Sequence, residues 1–381
     1  GNLNAPVYGN SNNPLAYLLI KDWSVTNRLM FTPKLEAQVT SWLKLTAQFG
    51  YDQTADRREL FAPTEAKLAQ QIQDNYGGFS NGYNKNISSE EYLTFDKKFG
   101  KHTLNVVAGT GYYTVEGTSY GFTVFTIPTD ALGNYALQLS SDTDDVLYKS
   151  RKFGFKKLSF FARANWNWKE KYMASATMRA DGSSVFARGY RWGYFPSASA
   201  GWVITNEDFF KGLGLDSVLD FLKLRASWGQ NGNCNVTGFQ YLSLVTSNNG
   251  YGGYVFGDVI DKREIGSYAY KLTNSELKWE TSEQTNIGFD ARLFGNRLGV
   301  EFDWYNKLTK DWLVVAPVLY SYGANAPYVN GGNVKNQGLE FGLHWNDSVG
   351  EVFYGVNLTG AHNKNKVTKI ANADGIIHGT G

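Results

Sequence analysis

The chain has 381 residues, of which 15% are aromatic and only 19% charged, with 41 Gly and 8 Pro. Disordered chains have few aromatics and high charge, and helical bundles are rich in Ala, Glu, Lys and Leu, so both are excluded in favour of turn-rich β structure. Lys plus Arg number 37 against 35 Asp plus Glu, a formal charge of +2 that supplies no pull towards nucleic acid, and no nucleic-acid partner is expected.

The first residues, GNLNAPVYGN, carry neither a basic segment nor an apolar core, so no signal peptide is expected there. A membrane-spanning helix needs about 18 consecutive apolar residues. The longest such run, Trp312 to Tyr320, is short and broken by Pro317. Cys234 has no disulfide partner, and His102, His344, His362 and His378 are too scattered for zinc-type spacing. Neither a metal, nor a cofactor, nor a Cys/His catalytic pair is expected.

Strands are predicted, in chain order, at residues 24–36, 43–51, 90–99, 101–116, 153–168, 171–180, 194–204, 221–229, 277–294, 296–308, 336–346 and 351–363. The signal is a period of two. Leu43, Leu45, Ala47 and Phe49 alternate with Lys44, Thr46 and Gln48; Leu158, Phe160, Ala162, Ala164 and Trp166 alternate with Ser159, Arg163 and Asn165, with Phe161 the only lapse. Tyr172, Ala174, Ala176 and Met178 oppose Met173, Ser175, Thr177 and Arg179, and Leu222, Leu224, Ala226 and Trp228 oppose Lys223, Arg225 and Ser227. The later segments repeat this: Ile287, Phe289 and Ala291 against Gly288 and Asp290, Val300, Phe302 and Trp304 against Glu301 and Asp303, Leu339, Phe341 and Leu343 against Glu340 and His344.

One apolar and one polar face fit either a one-side-solvated soluble sheet or a membrane barrel with a wet lumen. Connection lengths separate the two. Short links such as Gly100, Lys169 to Glu170, Gly295 and Asp347 to Gly350 alternate with long ones at 52–89, 117–152, 181–193, 230–276 and 309–335. Tight turns on one side and long loops on the other are the pattern of outer-membrane barrels. Aromatics gather at strand ends: Trp166, Trp168 and Tyr172 flank one tight turn, Trp345 and Phe353 another, and Trp228 and Trp304 lie towards the opposite ends, as two interfacial girdles require. About twelve strands with two open edges would leave unpaired backbone in lipid, so the segment is expected to be an internal part of a larger barrel.

The loops hold the candidate site residues. Thr64 to Asp74 has helical spacing and a possible Thr cap, and reads as a short helix within a loop. Asp142, Asp144 and Asp145 lack the spaced ligands of a calcium loop and read as a solvated charge run. Tyr251, Tyr254 and Phe256 in the Gly-rich segment NNGYGGYVFGD could stack on sugar rings, with Asn248 and Asn249 as amide partners; Tyr320, Tyr322 and Tyr328 form a second outer cluster. The plainer reading is that these rings pack long loops against each other. Glu301 and Asp303, two apart on one strand face, resemble an acid/base pair, and charge facing a lumen explains them equally well. Nothing else marks a catalytic site.

The segments RADGSS (179–184), RWGYFPSASAGW (191–202), LKLRASWGQNGN (222–233), LKWETSEQTNIGFD (277–290), FGNRLGVEFDWYNKLTKD (294–311) and NVKNQGLEF (333–341) together resemble SusC/RagA-type TonB-dependent receptors of the outer membrane of Bacteroidota-like bacteria, in the same order as in that family. Read without that likeness, Asp181, Gly182 and Gly189 suit a tight loop tip, Arg179, Arg188 and Arg191 could pair with carboxylates, and Lys278, Glu280 and Glu283 look like rim salt bridges. The resemblance implies an all-β, antiparallel transmembrane barrel of about 22 strands plugged by a separate domain, of which residues 1–381 are part. It further implies a SusD-like surface lipoprotein lid, drive by the TonB complex, and import of oligosaccharides or peptides. The plug, the TonB box and the signal peptide are not recognised in this chain. Alternatives are a siderophore or cobalamin receptor, or a soluble β-rich surface enzyme or adhesin.

Overall fold

The computed structural model describes residues 14–66, 75–140, 146–236, 238–242, 245–247, 253–255, 263–269, 271–316, 318, 321 and 323–370. In chain order the strands are β1 (Lys21–Phe31), β2 (Lys34–Thr40), β3 (Leu43–Ala62), β4 (Tyr76–Phe99), β5 (His102–Phe125), β6 (Leu147–Trp168), β7 (Tyr172–Ser183), β8 (Trp192–Val203), β9 (Leu219–Asn233), β10 (Val245–Ser247), β11 (Gly253–Val255), β12 (Arg263–Ile265), β13 (Ser267–Ala269), β14 (Glu280–Leu293), β15 (Leu298–Lys310), β16 (Leu313–Val315), β17 (Tyr328–Asn330), β18 (Gly332–Val349) and β19 (Val352–Ile370). Thirteen of them form one sheet of order β1-β3-β4-β5-β6-β7-β8-β9-β14-β15-β18-β19, with β2 also on β3. The small hairpins β10–β13, β11–β12 and β16–β17 belong to the long connections.

The predicted strand at 24–36 is two strands. Pro33, which has no N–H to donate, falls between β1 and β2, and its carbonyl accepts from the Phe49 amide at 3.0 Å. β3 to β6 are longer than the alternation predicts: β4 begins at Tyr76 rather than 90, and β5 runs to Phe125 rather than 116. A strand needs about 10 residues to cross a bilayer. In the extra residues of β4, polar Asn81 and Lys85 stand on the same face as Phe79, Tyr83 and Ile87, which weakens the alternation that marks a strand. The tight turns take left-handed backbone where they must, at Gly100, Lys169, Glu170, Gly295 and Gly350.

Contacts divide the chain into two units. The first comprises residues 1–34, 48–89 and 112–156. Its core is small: Phe61, Val124, Ile127, Ala136 and Leu137, with Phe79 and Val146 packed on, the last two buried members coming from the short 3-10 helix Gly133–Leu139. Buried Asn75 fixes the adjoining loop by donating to the Ile127 carbonyl at 2.9 Å and to Asp130 at 2.7 Å while accepting from the Ile127 amide at 2.6 Å. The predicted helix at Thr64–Asp74 begins as a single 3-10 turn, Thr64–Ala66; its remainder lies outside the described residues, as do Asp142, Asp144 and Asp145.

The second unit comprises residues 35–47, 90–111 and 157–381. Its apolar strand face is the exposed one: Leu224 is 40% exposed, Ile287 54% and Leu358 54%. A soluble sheet would cover that face, so this arrangement suits lipid and not water. On that face, at the tight-turn ends of β5 to β8, aromatic rings run in series. His102 lies 6.3 Å from Trp168, Trp168 stacks on Tyr172 at 5.5 Å, and Tyr172 on Trp202 at 6.3 Å.

Glu207, between β8 and the short helix Asp208–Lys211, ties these turns together. It accepts from Lys171 at 3.0 Å and from the Trp202 indole at 3.1 Å, and a hydrogen bond from Tyr172, with those from Lys171 and Trp202, holds its carboxyl down to about 2. A folded-state value below the ordinary glutamate value of about 4.3 means stability present at neutral pH and lost as pH falls through that window. Acid titration of the refolded protein followed by tryptophan fluorescence should therefore show a loss of stability between about pH 4 and 2 that is absent in Glu207→Gln.

Candidate functional site

The polar face of the second unit carries the chemistry. On β6 to β9, alternation brings Arg163, Asn165, Ser175, Ser199 and Arg225 to one side of the sheet, where with Asn105 they line a cavity of about 460 Å³. Ser175 and Ser199 share a hydrogen bond at 2.7 Å, and Asn165 donates to Asn105 at 3.3 Å. Such hydroxyl and amide groups can donate and accept alike, which suits a wetted or transiently occupied wall.

At the centre of that face Arg225 bridges two strands. Its Nε donates to Asp290 at 3.1 Å, and its two terminal nitrogens grip Asp303 at 3.0 and 2.9 Å. Asp303 lies two strands away, with Gly288 directly between in register with both. A Cβ on Gly288 would collide with the Asp303 carboxylate, so the missing side chain lets the guanidinium reach across. Asp303 is thus committed to an ion pair, and the paired-carboxylate reading of Glu301 and Asp303 gives way to lumen-type charge. Both line a second cavity of about 410 Å³ with Glu340 and His344.

At the long-loop ends an aromatic cluster closes over the strands. Trp279 is 8% exposed, packs against Phe186 at 5.6 Å and Phe195 at 5.5 Å, and donates its indole N–H to the Arg191 carbonyl at 2.8 Å. Gly193 and Gly232 lie under the Phe195 ring, leaving room for it to lie flat. The motifs RADGSS…RWGYFP and LKWE therefore meet in space, and their role is to anchor the loop between β7 and β8. Arg179 pairs with Asp181 at 2.8 Å; Arg191 instead donates to the Phe186 carbonyl at 3.2 Å. Lys278 pairs with Asp311 and Glu283 with Lys310, as expected of a rim, while Glu280 accepts from the Leu313 amide.

Of the six loop aromatics, Tyr251, Phe256, Tyr320 and Tyr322 lie outside the described residues, as do Asn248 and Asn249. Tyr254 belongs to β11, opposite Glu264, with its side chain outside the described set. Tyr328 is on β17, and its ring is covered by the Lys271 ammonium at 4.8 Å. Lys271 also donates to buried Gln240 at 2.6 Å, and burial pushes the lysine below its ordinary range. Lys271 and Tyr328 thus clip the connection before β14 to the one before β18, a packing role that the spacing of tyrosines alone does not reveal. Cys234 is buried, and among the described residues no group of three or more His, Cys, Asp and Glu could hold a metal ion.

Two substitutions test this geometry. Arg225→Met leaves two carboxylates unpaired and should cost about 1–3 kcal/mol in urea unfolding of the refolded protein, and Gly288→Val should move in the same direction with Arg225 intact. Trp279→Ala should cost about 3–5 kcal/mol and expose the segment 184–191 to limited proteolysis, whereas Trp279→Phe retains most of the packing.

A family profile described as TonB dependent receptor-like, beta-barrel, matches residues 2–376. TonB-dependent receptor P3 of Formosa agariphila is 30% identical over 305 residues, covering 77% of this chain and 28% of its own length. TonB-dependent receptor SusC of Bacteroides thetaiotaomicron is 31% identical over 315 residues, covering 79% and 29%. The chain thus spans less than a third of the curated relatives it matches. Among solved structures, the RagAB peptide importer in its closed-closed state aligns with a TM-score of 0.83 at 23% identity, over 95% of this chain and 39% of that one, a likeness of fold.

Proposed function

We propose, from the premise that this chain belongs to the family of TonB dependent receptor-like β-barrels, that the whole protein imports oligosaccharides or peptides across the outer membrane. The observation that carries this reading is the sheet with an exposed apolar face and a hydrogen-bonding polar face, joined by tight turns at one end and long loops at the other. Residues 1–381 are then part of one barrel whose plug and TonB box lie elsewhere in the protein. Its partners are a SusD-like surface lipoprotein over the long loops and the TonB complex on the other side, and no catalytic step belongs to it. Tyr251, Tyr254, Phe256, Tyr320 and Tyr322 serve at the entry, where aromatic faces contact sugar rings or peptide side chains, while Tyr328, covered by Lys271, holds a loop base beneath them. Similarity to SusC and to the RagAB peptide importer supports this class over a siderophore or cobalamin receptor.

The test is a deletion strain grown on single nutrient sources. Growth should fail on one oligosaccharide or one peptide source and return with the intact gene, with iron-limited growth unchanged. A defect confined to iron or cobalamin limitation contradicts the reading.

A further inference from the structure

The tight-turn ends of β4 to β7 bring two lysines together, neither of them in an ion pair among the described residues. The turn after β4 contributes Lys101 and the turn after β6 contributes Lys169; the Lys169 amide donates to the Lys101 carbonyl at 3.0 Å, so the two turns are locked side by side. Both side chains are exposed, and neither has a carboxylate within ion-pairing distance among the described residues. Nearby Lys171 pairs with Glu207 at 3.0 Å and with Asp208 at 3.6 Å; Asp208 also attracts Lys169, but less than Lys101 repels it. The Lys101 ammonium beside it holds Lys169 below the usual lysine range, the signature of like charges pressed together. An anion between them removes that repulsion.

What lies next to the lysines identifies the anion's carrier. The Lys169 ammonium sits over the Trp168 ring at 4.8 Å, and Trp168 belongs to the aromatic series His102, Trp168, Tyr172, Trp202 on the exposed apolar face. Beyond that series, further along the same face, the registers Ala164↔Ala176, Ala176↔Ala198, Ala174↔Ala200 and Ala200↔Ala226 place six alanines side by side across β6 to β9. Taller side chains frame this floor: Trp166 opposite Ala174, Met178 one step beyond Ala176, and Trp228 opposite Ala198. The result is a shallow apolar trough that begins at the aromatic series and leads away from the lysines. Cation pair, aromatic collar, then trough is the vertical order of an amphiphile's phosphate, glycerol and acyl chain. A free phosphate would use the lysines and leave the trough without a purpose.

We propose that Lys101 and Lys169, with the alanine floor of β6 to β9, form a binding site for a single anionic phospholipid of the periplasmic leaflet. The site rests on the membrane reading above, which places the tight turns on the periplasmic side, but not on what the protein transports. It would pin the sheet's height in the bilayer at the strands that carry the polar cavity on their other face.

Native mass spectrometry of the full-length, delipidated receptor titrated with phosphatidylglycerol, phosphatidylcholine or inorganic phosphate reads the site directly. Phosphatidylglycerol should bind with a stoichiometry of one and clear preference over phosphatidylcholine. Lys101→Gln and Lys169→Gln should each weaken it roughly fivefold, and Lys101→Arg with Lys169→Arg should restore it. Ala176→Leu with Ala198→Leu should weaken it with both lysines in place. Equal binding of the two lipids, or indifference to the lysine changes, overturns the proposal. Competition by millimolar inorganic phosphate, or indifference to the leucines, assigns the lysines to a free anion instead and overturns it too. Heat-modifiable migration in gels confirms that each variant is folded. Impermeant maleimide labelling of Ser348→Cys in intact cells would overturn the orientation and hence the membrane reading, a failure separate from loss of lipid preference in an otherwise correctly oriented barrel.

Discussion

In hydrocarbon an N–H or C=O without a partner costs several kcal/mol, and that penalty governs this chain more than any side-chain contact. It forces every bilayer-crossing segment into a ladder with its neighbour, and the paired registers run unbroken along β7 to β8, β14 to β15 and β15 to β18. Once the ladder is fixed, alternation assigns each side chain a face, since a slip by one residue would turn Leu224 inwards and Arg225 out into lipid. The rest follows from that assignment: an aromatic collar where the lipid headgroups lie, and a polar face free to exchange hydrogen bonds. Outer-membrane location and the barrel fold are properties of the family to which the chain belongs.

The polar face is not a uniform wet wall. Arg225 holds Asp290 and Asp303 in fixed positions over Gly288, so three strands are tied by charge as well as by backbone. The serines and amides of the neighbouring cavity are joined by single neutral hydrogen bonds, which exchange with water or a passing solute at little net cost. At the long-loop ends the Trp279 cluster and the Lys271–Tyr328 clip hold loop bases in place. Rigid bases beneath long loops are the arrangement a binding entrance needs, because ordering the loop tips then involves fewer residues.

Much of this was legible in the sequence wherever both faces of a strand met different solvents. β9, β14 and β15 match their predicted spans within a few residues because Leu, Ile and Phe are required on one side of each and tolerated poorly on the other. The reading failed where that contrast disappears. The outer half of β4, from Tyr76 to about residue 89, keeps Phe79, Tyr83 and Ile87 on one face but interrupts them with Asn81 and Lys85, so its period of two is diluted. Pro33 splits a strand whose apolar pattern continues through it. The site was less legible than the fold. Arg225 could be placed on the polar face, but its reach to Asp303 depends on the absence of a side chain at Gly288, in a strand many residues away. Trp279 read only as a motif residue, and Phe186 lies between two motifs, so their contact at 5.6 Å joins segments far apart in sequence that no local pattern links. Tyr328 was legible as an outer-loop aromatic, while its cation partner Lys271 carried no pattern at all.

The central claim is that the apolar face meets lipid and the polar face does not. The most direct measurement compares Leu224→Arg with Ser227→Arg, nearby positions of β9 on opposite faces, by unfolding of the full-length receptor from a bilayer. An arginine at Leu224, on the lipid-facing surface directly opposite the collar residue Trp202, should cost about 1–2 kcal/mol, and one on the polar face close to nothing. Equal costs, or a larger cost at Ser227, would contradict the assignment of faces and with it the membrane-barrel account.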